Sequence, residues 1–472
     1  MSLLSRLDRE RTIAPPGFSR WRVPPAALAI HLSIGQAYAF SVFNLPLSKL
    51  KGITAPAPDD WGLATIGWIF SVAIVFLGLS AFTFGRWLEQ VGPRKAMVAS
   101  AACFGGGFLV ASLGVRLHAF WLVILGYGVI GGIGLGLGYI SPVSTLIKWF
   151  PDRPGMATGM AIMGFGGGAM IGSPLAVALM DRFKSPTTMG VAETFVVLGV
   201  AYFAFMMFGA FTVRLPAPGW SPGAPGTAGA TAARRRTPVA AGGDVHVDRA
   251  IRTPQFWLLW AVLCLNVTAG IGVLGQASPM IQEMFPGTIG AGAAAGFVGL
   301  LSLANMAGRF AWSSLSDHIG RKPTYMIYFA LGALLYAGVP TTGRNGSVVL
   351  FVAFYAVIMS MYGGGFATIP AYLRDLFGTM HVGAIHGRLL TAWSLAGVAG
   401  PVLVNYLRQY QLGRGVPARD AYSVTMYLMA ALLVLGFVAN WLVRPVGAEH
   451  LFSRGAGREP VPVPGNRSHG TR

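Results

Sequence analysis

The 472-residue chain is 54% hydrophobic and only 11% charged, with a mean hydropathy of +0.59. A soluble domain carries about 25% charged residues, so these figures exclude a soluble globular protein and describe a polytopic membrane protein. The formal net charge of +19 would suit a nucleic-acid partner, but its placement along the chain argues against one.

The first 22 residues are polar, basic and proline-containing, and show no cleavable leader. Apolar stretches of the roughly 20 residues a bilayer requires then follow in chain order. They lie near 27–47, 62–84, 96–115, 119–147, 155–180, 191–213, 255–281, 291–315, 323–341, 347–373, 384–407 and 421–444. These twelve predicted helices divide the chain into five parts. Residues 1–24 lead in, 25–214 hold six spans, 215–252 link, 253–445 hold six more, and 446–472 form a tail. The Pro-, Gly- and Ala-rich linker, with Arg234–Arg236 inside it, has the composition of a flexible segment, as does the tail from Pro445. Cys103 and Cys264 both fall in spans and offer neither a disulfide framework nor metal spacing. No cofactor is expected.

With the N-terminus placed in the cytoplasm, 25 of the 35 Lys and Arg residues fall on cytoplasmic segments, 9 on outer ones, and Arg309 within a span. That bias obeys the positive-inside rule. It predicts both termini in the cytoplasm, an inner-membrane location, and a lipid rather than nucleic-acid surrounding.

The halves repeat. An offset of 228 residues maps Gly92 onto Gly320, Gly136 onto Gly364, Pro142 onto Pro370, Gly155 onto Gly383 and Gly159 onto Gly387. Parallel six-helix repeats with a site at their interface are a transporter architecture. Glycine runs such as Gly131–Gly138 and Gly164–Gly168 suit close helix packing. They are not a dinucleotide fingerprint, because no strand precedes them.

Within the eighth span, Arg309 sits about eight residues from the loop that follows, or ~12 Å into the membrane at the helical rise. A charge at that depth is costly and marks a substrate or ion path. Ser302, Asn305, Arg309, Ser313 and Ser316 share one helix face with it. A structural arginine held by backbone carbonyls is the competing reading. The repeat argues against that reading, since the counterpart of Arg309 is Ala81. No Asp or Glu lies deep in any span. His386 in the eleventh span, where the repeat has Thr158, is the first candidate for proton coupling, because His titrates near neutral pH. His31 is the second. A histidine in such a place is more often an ordinary polar residue.

The two halves and the loops Gly85-Arg-Trp-Leu-Glu89-Gln-Val-Gly92-Pro-Arg94-Lys95 and Ser316-Asp317-His-Ile-Gly320-Arg321-Lys322 resemble the major facilitator superfamily. In the first loop Glu89 and Gln90 depart from the family's acid–arginine pattern. The stretches TPQFWLLWAVLCLNVTAGIGVLGQASPMIQ, NMAGRF, IKWFPDRPGMATG and GRLLTAWSLAGVAGP are similar to its oxalate–formate antiporter branch, related to monocarboxylate transporters. The resemblance implies an all-α membrane fold of twelve transmembrane helices in two pseudo-symmetric six-helix bundles. It implies gating roles for Gly85, Glu89, Gly92, Arg94, Asp317, Gly320 and Arg321, and places the family's anion-binding arginine at Arg309. Oxalate exchangers carry a second cation, a lysine, after a Thr-Ala pair; this chain has Thr391-Ala392-Trp393. One buried cation balances one carboxylate, while a dianion would leave a charge unpaired at a cost of several kcal/mol.

The expected site is therefore Arg309 with Asn305, Tyr139, Tyr38 and Trp393, the last three being equally compatible with core packing. The expected function is secondary active transport of a small organic anion, a lactate- or pyruvate-like monocarboxylate, coupled to protons and performed by a monomer. An oxalate–formate type exchanger and a non-transporting sensor are the alternatives. No nucleophile–base pair, metal cluster or P-loop points to an enzyme or an ATP-driven pump.

Overall fold

The computed structural model describes residues 7–55, 57–222, 243–274 and 276–453. Eleven helices in it are long and apolar enough to cross a membrane: α1 Arg20–Leu47, α2 Thr65–Val91, α3 Pro93–Arg116, α4 Phe120–Trp149, α5 Pro154–Phe183, α6 Val191–Thr212, α7 Pro254–Leu274, α9 Arg321–Arg344, α10 Val348–Phe377, α11 Val382–Gly413 and α12 Ser423–Leu442. The helix that carries Arg309, α8 Ala291–Ile319, is two residues longer than α2 and completes the second set of six. The expected spans agree with these helices to within a few residues at most ends. The seventh is shorter than expected: it stops at Leu274 and a separate eight-residue helix, Ala277–Met284, follows.

The repeat is visible as geometry. The turns after α2 and α8 pivot on Gly92 and Gly320, with φ of +87° and +94°, a region where a side chain is strained. Glycines then bring the two halves into backbone contact. A Cβ at Gly155 of α5 would strike the Ser313 carbonyl of α8, and one at Gly159 would meet the Arg309 carbonyl. In the other copy, Gly387 of α11 would strike the Ala81 carbonyl of α2, and Gly85 of α2 packs on Ala384. The Gly159–Arg309 and Gly387–Ala81 contacts are related by the 228-residue offset. Small residues let the α5–α8 and α2–α11 backbones touch across the interface between halves, as expected of helices packed in lipid.

The end of the bundle that carries the chain termini is sealed. Gly155 and Met156 donate their N–H groups, at 2.9 and 2.8 Å, to the Asp317 carboxylate at the first turn of α5. Helix dipole and orphan donors favour an anion there. Arg321 grips Asp317 at 2.5 Å and Asp375 at 3.1 Å. Arg374 donates to the Pro151 carbonyl at 2.9 Å, and Thr158 to the Ala367 carbonyl at 2.6 Å. Towards the opposite end α5 and α8 diverge. Met306 still packs on Gly166, but two turns farther along Gly299 meets nothing within 4 Å. Met170, one turn beyond Gly166, is 44% exposed. The halves are closed at the terminal end and splayed at the other.

Two segments expected to be flexible are partly ordered. The linker's last residues form a strand, β1 Gly243–Val245, paired antiparallel with β2 Leu451–Ser453 from the tail. Asp244 accepts the N–H groups of Thr379 and Met380 at 2.7 and 3.2 Å. Arg388 donates to the Val247 carbonyl at 2.9 Å and to Asp248 at 2.5 Å, and that bond holds the Asp248 carboxyl below its usual range. Composition suggested looseness, but the buried Val245 and Val247 and the caps on the turn before α11 tie the segment down. Arg234–Arg236 lie outside the described residues.

Candidate substrate site

Midway along α8, Arg309 is wholly buried, between the two halves. Its Nε donates to the Asn305 Oδ1 at 3.0 Å, one turn earlier on the same face. One terminal nitrogen donates to the Ile162 carbonyl of α5 at 3.4 Å, and the other, Nη2, has no partner. The guanidinium lies between two rings, 5.6 Å from the centroid of Phe165 and 5.3 Å from that of Phe366. These cation–π contacts soften its desolvation. Among the described residues no carboxylate pairs with it. A buried cation without a counter-ion among the described residues, with one arm of its fork unused, can take a small anion in a charge-assisted hydrogen bond.

The rest of the expected site converges on this point. Tyr38 of α1 lies 4.8 Å from Phe165 and 6.3 Å from Trp393, centroid to centroid, and its hydroxyl is 3.2 Å from that of Tyr362 in α10. Tyr139 of α4 packs 5.6 Å from Phe165 and 5.3 Å from Trp393. Its hydroxyl and the Trp393 Nε1 are both buried and unpartnered. Trp393 is fully buried against Phe366 at 4.4 Å. Its neighbour Thr391 accepts a hydrogen bond from the Trp260 Nε1 at 2.9 Å. The position where oxalate exchangers carry lysine is filled by an indole.

His31 and His386 flank Tyr139, with ring centroids 5.4 and 5.8 Å away. Both are buried, and none of their four ring nitrogens has a partner. The repeat shows what His386 replaces: Thr158 donates to the carbonyl of Ala367, and Tyr139 is the counterpart of Ala367.

Three site residues were missed. Phe165 faces the guanidinium from α5 and packs 5.4 Å from its repeat mate Trp393 of α11, and the 228-residue offset applied to Trp393 would have found it. Phe366 and Tyr362 fall in the glycine-rich stretch of α10, where nothing in the sequence distinguishes a site-facing ring from a packing one.

The loop residues separate into two groups. Gly85, Asp317, Gly320 and Arg321 belong to the terminal seal described above. Glu89, the repeat mate of Asp317, is paired with Lys148 at 2.7 Å and lies against Gly383 at the start of α11. Gly92 shapes the turn beside Arg9. Arg94 does not bridge the halves. It is buried under the end of α6, donating to the carbonyls of Ala210, Phe211 and Val213 at 3.2, 3.4 and 3.4 Å.

Two sealed and splayed six-helix halves around a buried, unpaired cation define a secondary transporter. A family model for the Major Facilitator Superfamily matches residues 26–401 and 290–465, and the chain belongs to that family. It is 25% identical to the oxalate:formate antiporter of Oxalobacter formigenes, over 79% of this chain and 81% of that protein. It is 26% identical to apicoplast pyruvate carrier 1 of Toxoplasma gondii, over 71% and 68% of the two chains. Human monocarboxylate transporter 11 is 24% identical over 79% and 76%. Among solved structures, a double-tryptophan variant of XylE superposes with a TM-score of 0.68 at 15% identity, covering 91% of this chain and 97% of that one. FucP in the outward conformation gives 0.63 at 14% identity, over 90% and 100%. The protein is a transporter and not an enzyme.

Proposed function

We propose that the protein carries a small monocarboxylate of the lactate or pyruvate kind by alternating access, with Arg309 as its anion receptor and a proton as the coupled ion. The observation that carries this reading is the buried guanidinium with a free Nη2, no acidic partner and an aromatic enclosure between the halves. A carboxylate supplies the missing charge and matches the planar fork in a bidentate hydrogen bond. The relatives named for oxalate:formate exchange, pyruvate and monocarboxylates support the substrate class. Asn305 holds the guanidinium's orientation, Tyr38 and Tyr139 present hydroxyls to the substrate, and Trp393 walls the space. The termini lie in the cytoplasm, so the observed form, sealed at the terminal end, faces outward.

Uptake of a panel of labelled monocarboxylates, added outside reconstituted liposomes, tests the reading. Arg309→Gln abolishes uptake while the protein remains inserted, and Arg309→Lys restores little, because a point charge cannot reproduce the fork. Unchanged uptake by Arg309→Gln would make the arginine a packing residue. Proton coupling is assigned to His386, with His31 beside the same tyrosine as its reserve. An inward proton gradient accelerates wild-type uptake, and His386→Gln loses most of that acceleration while equilibrium exchange survives. An undiminished gradient response in both His386→Gln and His31→Gln places the proton on the substrate instead.

A further inference from the structure

A cavity of about 330 Å³ opens at the terminal end, where α1 begins and α6 ends, away from the substrate site. Arg22 and Arg214 line it, contributed by elements nearly two hundred residues apart in the chain. Neither has a carboxylate partner among the described residues. Among the described residues the exposed Arg22 side chain makes no hydrogen bond, and that of Arg214 donates only to the carbonyls of Phe211 and Val213, at 3.2 and 2.9 Å. The neighbouring arginine Arg20, by contrast, is satisfied by Asp152 at 2.6 Å. The remaining walls are Phe18, Pro25, Ala26, Phe208, Phe211 and Thr212. Phe208 and Phe211 are 55% and 40% exposed on the outer surface of α6.

We propose that this cavity binds the headgroup of an anionic phospholipid, with an acyl chain running along Phe208 and Phe211. The cationic part stands at the ends of two membrane-spanning helices, which is the depth of the phosphates. The apolar part continues down one of those helices into the hydrocarbon. A single ligand that is anionic at the membrane surface and apolar below it fits both parts. Two unpaired guanidiniums give the hydrogen-bond donors that a phosphodiester needs. The carbonyl end of α6 would repel an anion, and Arg94 from beneath and Arg214 from the side cover those carbonyls.

The test is native mass spectrometry of the detergent-solubilised full-length protein, titrated with dioleoyl phosphatidylglycerol, dioleoyl phosphatidylcholine or inorganic phosphate. The wild type retains phosphatidylglycerol in preference to phosphatidylcholine. Arg22→Gln weakens that retention about fivefold, the factor expected for one arginine at an anionic membrane surface. Arg22→Gln/Arg214→Gln weakens it by roughly the square of that factor, and Phe208→Ala/Phe211→Ala also weakens it. The Arg22 side chain makes no hydrogen bond among the described residues, so its variant remains interpretable if Arg214→Gln disturbs the end of α6. Equal retention of phosphatidylglycerol by wild type and Arg22→Gln overturns the proposal. Displacement of the lipid by millimolar inorganic phosphate would assign the cavity to a soluble phosphate, and a dimer in place of the lipid adduct would assign the face to a second copy; either result overturns it.

Discussion

At the scale of single residues, charge matching at Arg309 sets what can be carried. The guanidinium has one positive charge, its Phe165 and Phe366 neighbours have none, and the candidate position for a second cation holds the buried Trp393. A monoanion leaves the site neutral. A dianion leaves one buried charge unbalanced, at several kcal/mol, where about 1.4 kcal/mol is already tenfold in affinity. Unlabelled oxalate is therefore expected to compete with labelled lactate at least tenfold more weakly than lactate does at neutral pH. Trp393→Lys narrows that gap by adding the second charge and removing the ring that packs 4.4 Å from Phe366. Oxalate competing as well as lactate in the wild type would show that a protonated His386 or His31 completes a two-charge site.

At the scale of elements, closure rests on helix termini held by acidic side chains. The start of α5 is held by Asp317 of α8, and Asp317 is held by Arg321, which reaches across to Asp375 of α10. Charge-assisted bonds of this kind are each worth about 1.5–3 kcal/mol. The repeat mate is weaker by composition: Glu89 faces the start of α11 with Lys148 as partner, and the counterpart of Arg321 is Pro93. Asp317→Asn is expected to shift the population toward a form open at the terminal end by about tenfold or more. Double electron–electron resonance between spin labels at Arg153 and His318 reads this as a longer distance population that the parent lacks. An unchanged distance distribution would place the closure energy in the glycine crossings instead. These crossings were legible in the sequence as Gly159 and Gly387 at a common offset, because only glycine permits such backbone contact. The ordered end of the linker was not legible. Val245 and Val247 lie in a segment whose composition is that of an open chain, and what fixes them is contact with residues more than 130 positions later.

At the scale of the whole molecule, apolar length and the internal repeat were enough to draw the architecture, since lipid leaves a helical chain few alternatives. The site was legible in proportion to cost. Arg309 stood out because a charge in hydrocarbon requires a reason, and Asn305 because it lies one turn away. Phe165, Phe366 and Tyr362 did not, because an aromatic ring is at home anywhere in a membrane protein. The orientation of the bundle rests on charge asymmetry alone. By segment of the sequence, 25 of the 35 Lys and Arg residues belong to the terminal end, Arg20, Arg86, Arg214, Arg321, Arg374 and Arg388 among them, and 9 to the opposite end. An anionic cytoplasmic leaflet and the membrane potential both favour that asymmetry with the basic end inside. Cysteine accessibility in right-side-out vesicles tests it. Pro218 and Thr288 are exposed and lie on opposite sides of the bundle, and the native Cys264 is buried while Cys103 is half-buried in α3. With Cys103 and Cys264 replaced by serine, Thr288→Cys reacts with a membrane-impermeant maleimide in intact vesicles, and Pro218→Cys reacts only after permeabilisation. The reverse pattern would invert the molecule. The form sealed at its terminal end would then face the cytoplasm, and the proposed direction of carboxylate entry would reverse with it.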